Sequence, residues 1–169
     1  GRHRHRVTED DQRRARQGYY AMISFIDDKV GELVQALEAS GQAENTVVVF
    51  CADHGEMLGE RGMWFKQSFF EWSARVPLTV SAPARYASRR VSECVSLVDL
   101  LPTLVGIGGG EVKLPCDGES LEAALDGRPT RDLVICDYSG IGPCVPTRMV
   151  RQGRYKLMYT HGHPDLLFD

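Results

Sequence analysis

Carboxylate, imidazole and amine side chains converge at one stretch of this sequence. Asp53-His54-Gly55 follows directly on the apolar run Thr46-Val47-Val48-Val49-Phe50-Cys51-Ala52, and Lys66 stands twelve residues after His54. A carboxylate oxygen beside a neutral imidazole nitrogen suits a divalent cation. Adjacent residues at a strand end can both reach one ion, because the chain is leaving the pleat there. Gly55 lets the backbone bend sharply. The same pair also suits an Asx turn beside a surface histidine, and local spacing leaves both readings open. Lys66 offers a compact positive charge for an anionic oxygen. Trp64 and Phe65 beside it would exclude water and strengthen that pull. Read in isolation, the stretch favours an exposed loop lysine.

The elements that must position these groups are legible. Thr8 followed by Glu9-Asp10-Asp11 predicts a helix N-cap with an acidic first turn. The helix runs to about Ser40, with Gly41 as its stop. Tyr19, Ile23, Ile26, Val30, Leu33 and Leu37 lie on one helical face, which predicts packing on a sheet. The run from Asn45 to Ala52 is continuously apolar rather than alternating, which predicts a central parallel strand buried on both faces. Ligands of such sheets bind beyond the carboxyl ends of the strands, where Asp53 and His54 stand.

Three glycines between Gly55 and Gly62 predict a loop. A short strand follows over Pro77–Val80. Asp99 is the expected N-cap of a short helix, with Pro102 in its first turn. Gly108-Gly109-Gly110 ends that helix and reads as a linker, since no Lys-Ser/Thr follows to complete a phosphate loop. Beyond it come a short helix closed by Gly127 and three antiparallel strands, Leu133–Tyr138, Arg148–Arg151 and Tyr155–Thr160, with a turn at Gly153.

Composition excludes several classes. The chain has 169 residues with a formal net charge of −3, which argues against a general nucleic-acid binder. No apolar run approaches the roughly 20 residues of a membrane span. The five cysteines are odd in number and include no C-x-x-C pair, so they read as buried or half-buried free thiols of a reducing compartment. The basic start, with His3 and His5 alternating with arginines, reads as a solvated arm. The chain opens on Gly1 rather than Met, which predicts a piece of something longer.

Four collinear stretches resemble the C-terminal part of a sulfatase of the alkaline phosphatase superfamily, and most of all the bacterial choline sulfatases. They are His5-Arg6-Val7-Thr8-Glu9 with Tyr19-Tyr20-Ala21 and Ile26-Asp27-Asp28; Asp53 to Gly62 with Trp64-Phe65-Lys66; Ser73-Ala74-Arg75-Val76-Pro77-Leu78 with Leu97 to Leu104; and Arg151 to Lys156 with Pro164 to Asp169. The resemblance implies an α/β fold: part of a sulfatase-like mixed sheet flanked by helices, with a small C-terminal antiparallel α+β portion. It implies that 1–107 belong to the catalytic domain and 108–169 to a C-terminal subdomain. It implies that Asp53 and His54 bind a divalent metal, most commonly calcium in the family, and that Lys66 contacts the sulfate and the leaving oxygen. The substrate would be a small sulfate ester such as choline sulfate, in a cytoplasmic and oligomeric protein.

The family's nucleophile is a formylglycine made within a C-x-P-x-R motif that opens a helix near the N-terminus. Here Cys144-Val145-Pro146-Thr147-Arg148 fits those letters, but follows His54 by about ninety residues and leads into an expected strand. It reads as a loop cysteine by coincidence. The expectation is therefore a C-terminal fragment, inactive alone and weak in metal binding, because two ligands do not fill calcium's shell of roughly six to eight. Two alternatives stand beside it. One is another hydrolase of the same superfamily, such as a phosphonate monoester hydrolase, arylsulfatase or phosphodiesterase. The other is a noncatalytic sulfatase-derived module. Trp64, Phe65, Trp72 and Tyr138 are available to a quaternary ammonium, without a basis for choosing among them.

Overall fold

The computed structural model describes residues 7–140 and 145–169, which form two compact units, one ending at Ala84 and the other beginning at Arg85. In the first unit, helix α1 spans Glu9–Ala39. Its start is a capping box: Thr8 Oγ1 accepts from the Asp11 N–H at 3.1 Å, and Asp11 Oδ2 accepts from the Thr8 N–H at 3.0 Å. The Thr8 bonds also hold the Asp11 carboxyl below the usual carboxylate range. The chain leaves the helix through Gly41 at φ +72°.

The apolar face of α1 does not pack on a sheet in this chain. No α1 residue is buried, and Leu33 is 71% and Phe25 61% exposed. Its main polar tie to the rest of the unit is Arg16, whose Nε donates to the Leu58 carbonyl at 2.8 Å.

Strand β1 spans Val48–Cys51 and β2 spans Leu78–Ser81. They pair with each other antiparallel, with Val49 opposite Val80 and Cys51 opposite Leu78. This corrects the expected central parallel strand. An unbroken apolar run reports that both faces of a strand want cover, not the direction of its neighbour. Here the cover is partial: Val48 and Val49 are half-buried, whereas Phe50 is exposed. Between the two strands, helix α2 (Glu71–Ala74) makes a single turn. The tightest packing of the unit lies under the loop after β1: Met57 is wholly buried, and Leu58 and Ser73 nearly so.

The second unit places helices α3 (Leu100–Ile107) and α4 (Glu122–Leu125) before a four-stranded antiparallel sheet in the order β3-β4-β5-β6. Its strands are Leu133–Tyr138, Thr147–Gln152, Tyr155–Thr160 and Leu166–Phe168. The last was not expected, since three residues are too few to show a period. Asp99 takes a different part from that of a side-chain cap on α3. Ser96 caps the turn Leu97–Asp99, and the 1%-exposed Asp99 accepts from the N–H groups of Ser96 (2.8 Å) and Glu119 (2.9 Å) and from Arg131 Nη2 (2.7 Å). One carboxylate thus ties three segments together.

The cysteines divide. Cys94 and Cys136 are half-buried free thiols, whereas Cys51 and Cys116 are free and exposed. Cys144, His3 and His5 lie outside the described residues.

Candidate functional site

The chain leaves β1 at Cys51, and the next polar residues bend together. The His54 backbone N–H donates to Asp53 Oδ1 at 3.0 Å. The His54 ring lies with Nδ1 at 2.8 Å from the Gly55 carbonyl oxygen. A carbonyl only accepts, so Nδ1 carries the proton and, in the neutral ring, Nε2 presents its lone pair. That nitrogen lies 3.2 Å from Asp53 Oδ2 and 2.5 Å from Lys66 Nζ. The three residues singled out by their chemistry therefore meet at one point. Asp53 is well exposed there and His54 partly so, which leaves the cluster open to a ligand.

Lys66 reaches His54 because the intervening loop folds back on itself. The Met57 N–H donates to the Phe65 carbonyl at 2.9 Å, and the Gly59 N–H to the Met63 carbonyl at 2.8 Å. A 3₁₀ turn at Glu60–Gly62 closes the far end. Folding so tightly puts Leu58 (φ +48°), Arg61 (+54°) and Phe65 (+68°) in the left-handed region, where side chains with a Cβ are disfavoured.

Helix α2 braces both ends of this excursion. The Ser73 carbonyl accepts from the Gly55 N–H at 2.8 Å, and the Ser73 hydroxyl donates to the Lys66 carbonyl. The approach at Gly55 is so close that a Cβ there would sit 1.9 Å from the Trp72 carbonyl oxygen. Gly55 is therefore required for this close approach rather than for a left-handed turn, since its φ is not positive.

Two supporting residues, Glu56 and Ser73, lack a signature of their own in the sequence. Each lies inside a quoted stretch, but neither has a spacing that betrays its bonds. The nearest clue is an acidic residue early in a glycine-rich loop, where backbone N–H groups need acceptors.

The donor set suits a cation in part. Asp53 Oδ2 and His54 Nε2 are two lone-pair donors close together, one oxygen and one nitrogen. Among the described residues no group of three or more His, Cys, Asp or Glu is placed to complete a shell. Of the Cys144–Arg148 motif, Thr147 and Arg148 open strand β4. Arg148 Nε donates to Asp137 Oδ1 at 2.5 Å, and that carboxylate holds the guanidinium above its usual range. Among the described residues no helix is long and apolar enough to cross a membrane.

A sequence model described as Sulfatase matches residues 2–110. A choline-sulfatase of Rhizobium meliloti (strain 1021) is 40% identical over 166 residues, covering 96% of this chain and 32% of that protein. An arylsulfatase K of Gallus gallus is 34% identical over 174 residues, covering 96% of this chain and 32% of that protein. Among solved structures, a phosphonate monoester hydrolase from Silicibacter pomeroyi superimposes with a TM-score of 0.88 at 27% identity, over 97% of this chain and 36% of that one. The chain thus spans about a third of the length of the curated relatives it matches.

Proposed function

The chain belongs to the sulfatase family, and on that premise we propose that it is the C-terminal part of a metal-dependent sulfuric ester hydrolase of the choline-sulfatase kind. In this reading Asp53 and His54 hold a divalent metal, with calcium the family's usual ion, and Lys66 binds the sulfate. Residues 1–107 belong to the catalytic α/β domain and 108–169 to a C-terminal subdomain. The formylglycine nucleophile and the remaining metal ligands come from chain outside these 169 residues, in a cytoplasmic protein that associates with copies of itself. The observation that carries the proposal is the meeting of Asp53 Oδ2, His54 Nε2 and Lys66 Nζ at the mouth of β1.

A bound metal would supply positive charge to the sulfuryl oxygens. This chain's own residues do the rest of what is proposed here. The Gly55 carbonyl keeps the proton on His54 Nδ1, which leaves the Nε2 lone pair for a cation. Asp53 would hold the ion with it and add negative charge. The Lys66 ammonium has three donors; it leaves His54 Nε2 for a sulfate oxygen and offsets the charge that grows on the leaving oxygen as the S–O bond breaks.

A second reading, phosphonate monoester hydrolysis, is kept by the structural likeness to such a hydrolase. Sulfate release from choline sulfate, measured on the protein that carries this chain, tests the proposal. Lys66→Ala should lower kcat/KM by about 10²–10³. Unchanged turnover removes Lys66 from the site. A strong preference for a phenylphosphonate monoester over choline sulfate transfers the assignment to the second reading. The purified 169-residue chain should show no turnover, and its calcium affinity by calorimetry should be weaker than micromolar.

A further inference from the structure

We infer that Glu56 is a positioning residue, whose carboxylate holds the loop in the conformation that returns Lys66 to His54. One oxygen, Oε1, accepts from the backbone N–H of Phe65 at 2.6 Å and from that of Leu58 at 3.2 Å. Among the described residues, these are two of the three other than glycine that stand in the left-handed region, at φ +68° and +48°. Such conformations persist only where surrounding bonds over-determine them. Glu56 supplies that restraint at both ends of the excursion at once. Phe65 immediately precedes Lys66, so the φ of Phe65 sets the direction in which Lys66 leaves the loop. The short Phe65 bond has a charged acceptor, which makes it the stronger class of hydrogen bond.

Glu56 is not well placed as a further metal ligand. Its Oε1 is already engaged by two N–H groups, and it belongs to no metal-binding group among the described residues. What the loop asks of it is an acceptor at the right reach. Glutamine offers the same reach without charge. Aspartate keeps the charge but is one methylene shorter and cannot span both N–H groups.

The inference deepens the proposed function and rests on it for its consequence in catalysis. The contact itself is measured without any ester, so the two can fail separately. In NMR spectra of the chain, cross-peaks between the Lys66 Hε protons and the His54 ring protons report the contact. Val49–Val80 cross-peaks report that the β1–β2 pair remains. Glu56→Gln should keep the Lys66–His54 cross-peaks. Glu56→Ala and Glu56→Asp should lose them while keeping β1–β2, with Leu58 and Phe65 amides exchanging about tenfold faster. Retention of the contact in Glu56→Ala overturns the inference, as does its loss in Glu56→Gln with β1–β2 intact. If Glu56→Ala fails to fold, the pair of Glu56→Asp and Glu56→Gln decides. A kept contact in the aspartate variant, or a lost one in the glutamine variant, refutes the role.

Discussion

Adding one methyl group at Gly55 should separate the two halves of the site. The Cβ of Gly55→Ala would lie 1.9 Å from the Trp72 carbonyl oxygen and 2.9 Å from its carbon, with the Ser73 carbonyl oxygen at 3.3 Å. The first contact is 1.1 Å inside the 3.0 Å that Cβ atoms respect, and the neighbour is backbone rather than a flexible side-chain end. The strand-end turn must therefore move from α2 by about 1 Å, which removes the 2.8 Å bond from the Gly55 N–H to the Ser73 carbonyl. Overpacking costs about 1–3 kcal/mol and the lost hydrogen bond about 1 kcal/mol, so destabilisation of about 2–4 kcal/mol is expected. Trp64 and Trp72 are the protein's two tryptophans, and both lie in the first unit. Intrinsic fluorescence in a urea titration therefore reads this unit without interference from the second. Gly31→Ala is the control: its Cβ meets nothing within 4 Å in mid-helix, and it should stabilise by about 0.5–1 kcal/mol. On the proposed function, the same 1 Å displacement of His54 from Lys66 should lower the rate of ester hydrolysis by about 10². A Gly55→Ala protein within about 0.5 kcal/mol of the parent would refute the close-approach reasoning.

The second unit offers further tests. Arg131→Met removes the cation from the buried Asp99 carboxylate, and should destabilise that unit by about 3–5 kcal/mol, read by circular dichroism in urea. Burial raises the thiol pKa of both Cys94 and Cys136, with little thiolate as a result. At pH 8, mass spectrometry after iodoacetamide should therefore find the exposed Cys51 and Cys116 modified first, and equal rates at all four would contradict the burial. The Cys94 backbone N–H, 2.7 Å from Asp132 Oδ1, holds the Asp132 carboxyl below the ordinary carboxylate range. That contribution is complete above the ordinary range and is lost as pH falls through the lowered value. Asp132→Asn should flatten the acid limb of the stability profile, and an unchanged limb would discount the bond.

How much was legible followed from how local each cause was. The capping box at Thr8 and Asp11, the Gly41 stop and the turn at Gly153 depend on residues within a few positions, and their letters suffice. The strands Leu133–Tyr138 and Tyr155–Thr160 emerged at the expected bounds for the same reason. The apolar run before Asp53 gave the strand but not its partner's direction, because apolarity reports burial and pairing is a matter of topology. Asp99 looked like a cap because its neighbours suit one. Of its three partners only Ser96 is local; Arg131 and Glu119 are distant in sequence, and no local pattern contains them.

By itself, the sequence determined the family and the residue types on offer. Asp53, His54 and Lys66 stand beyond a strand, in stretches that mark the sulfatase family, and are of types that suit a cation and an anionic oxygen. Only the tertiary structure decided that Lys66 meets His54 at 2.5 Å. That contact depends on a loop bent through left-handed residues, on Glu56 accepting from Leu58 and Phe65, and on Ser73 bracing Gly55 and Lys66. Residue types set what a side chain can bind, whereas a meeting of side chains twelve positions apart depends on backbone bonds to distant groups, which no spacing encodes.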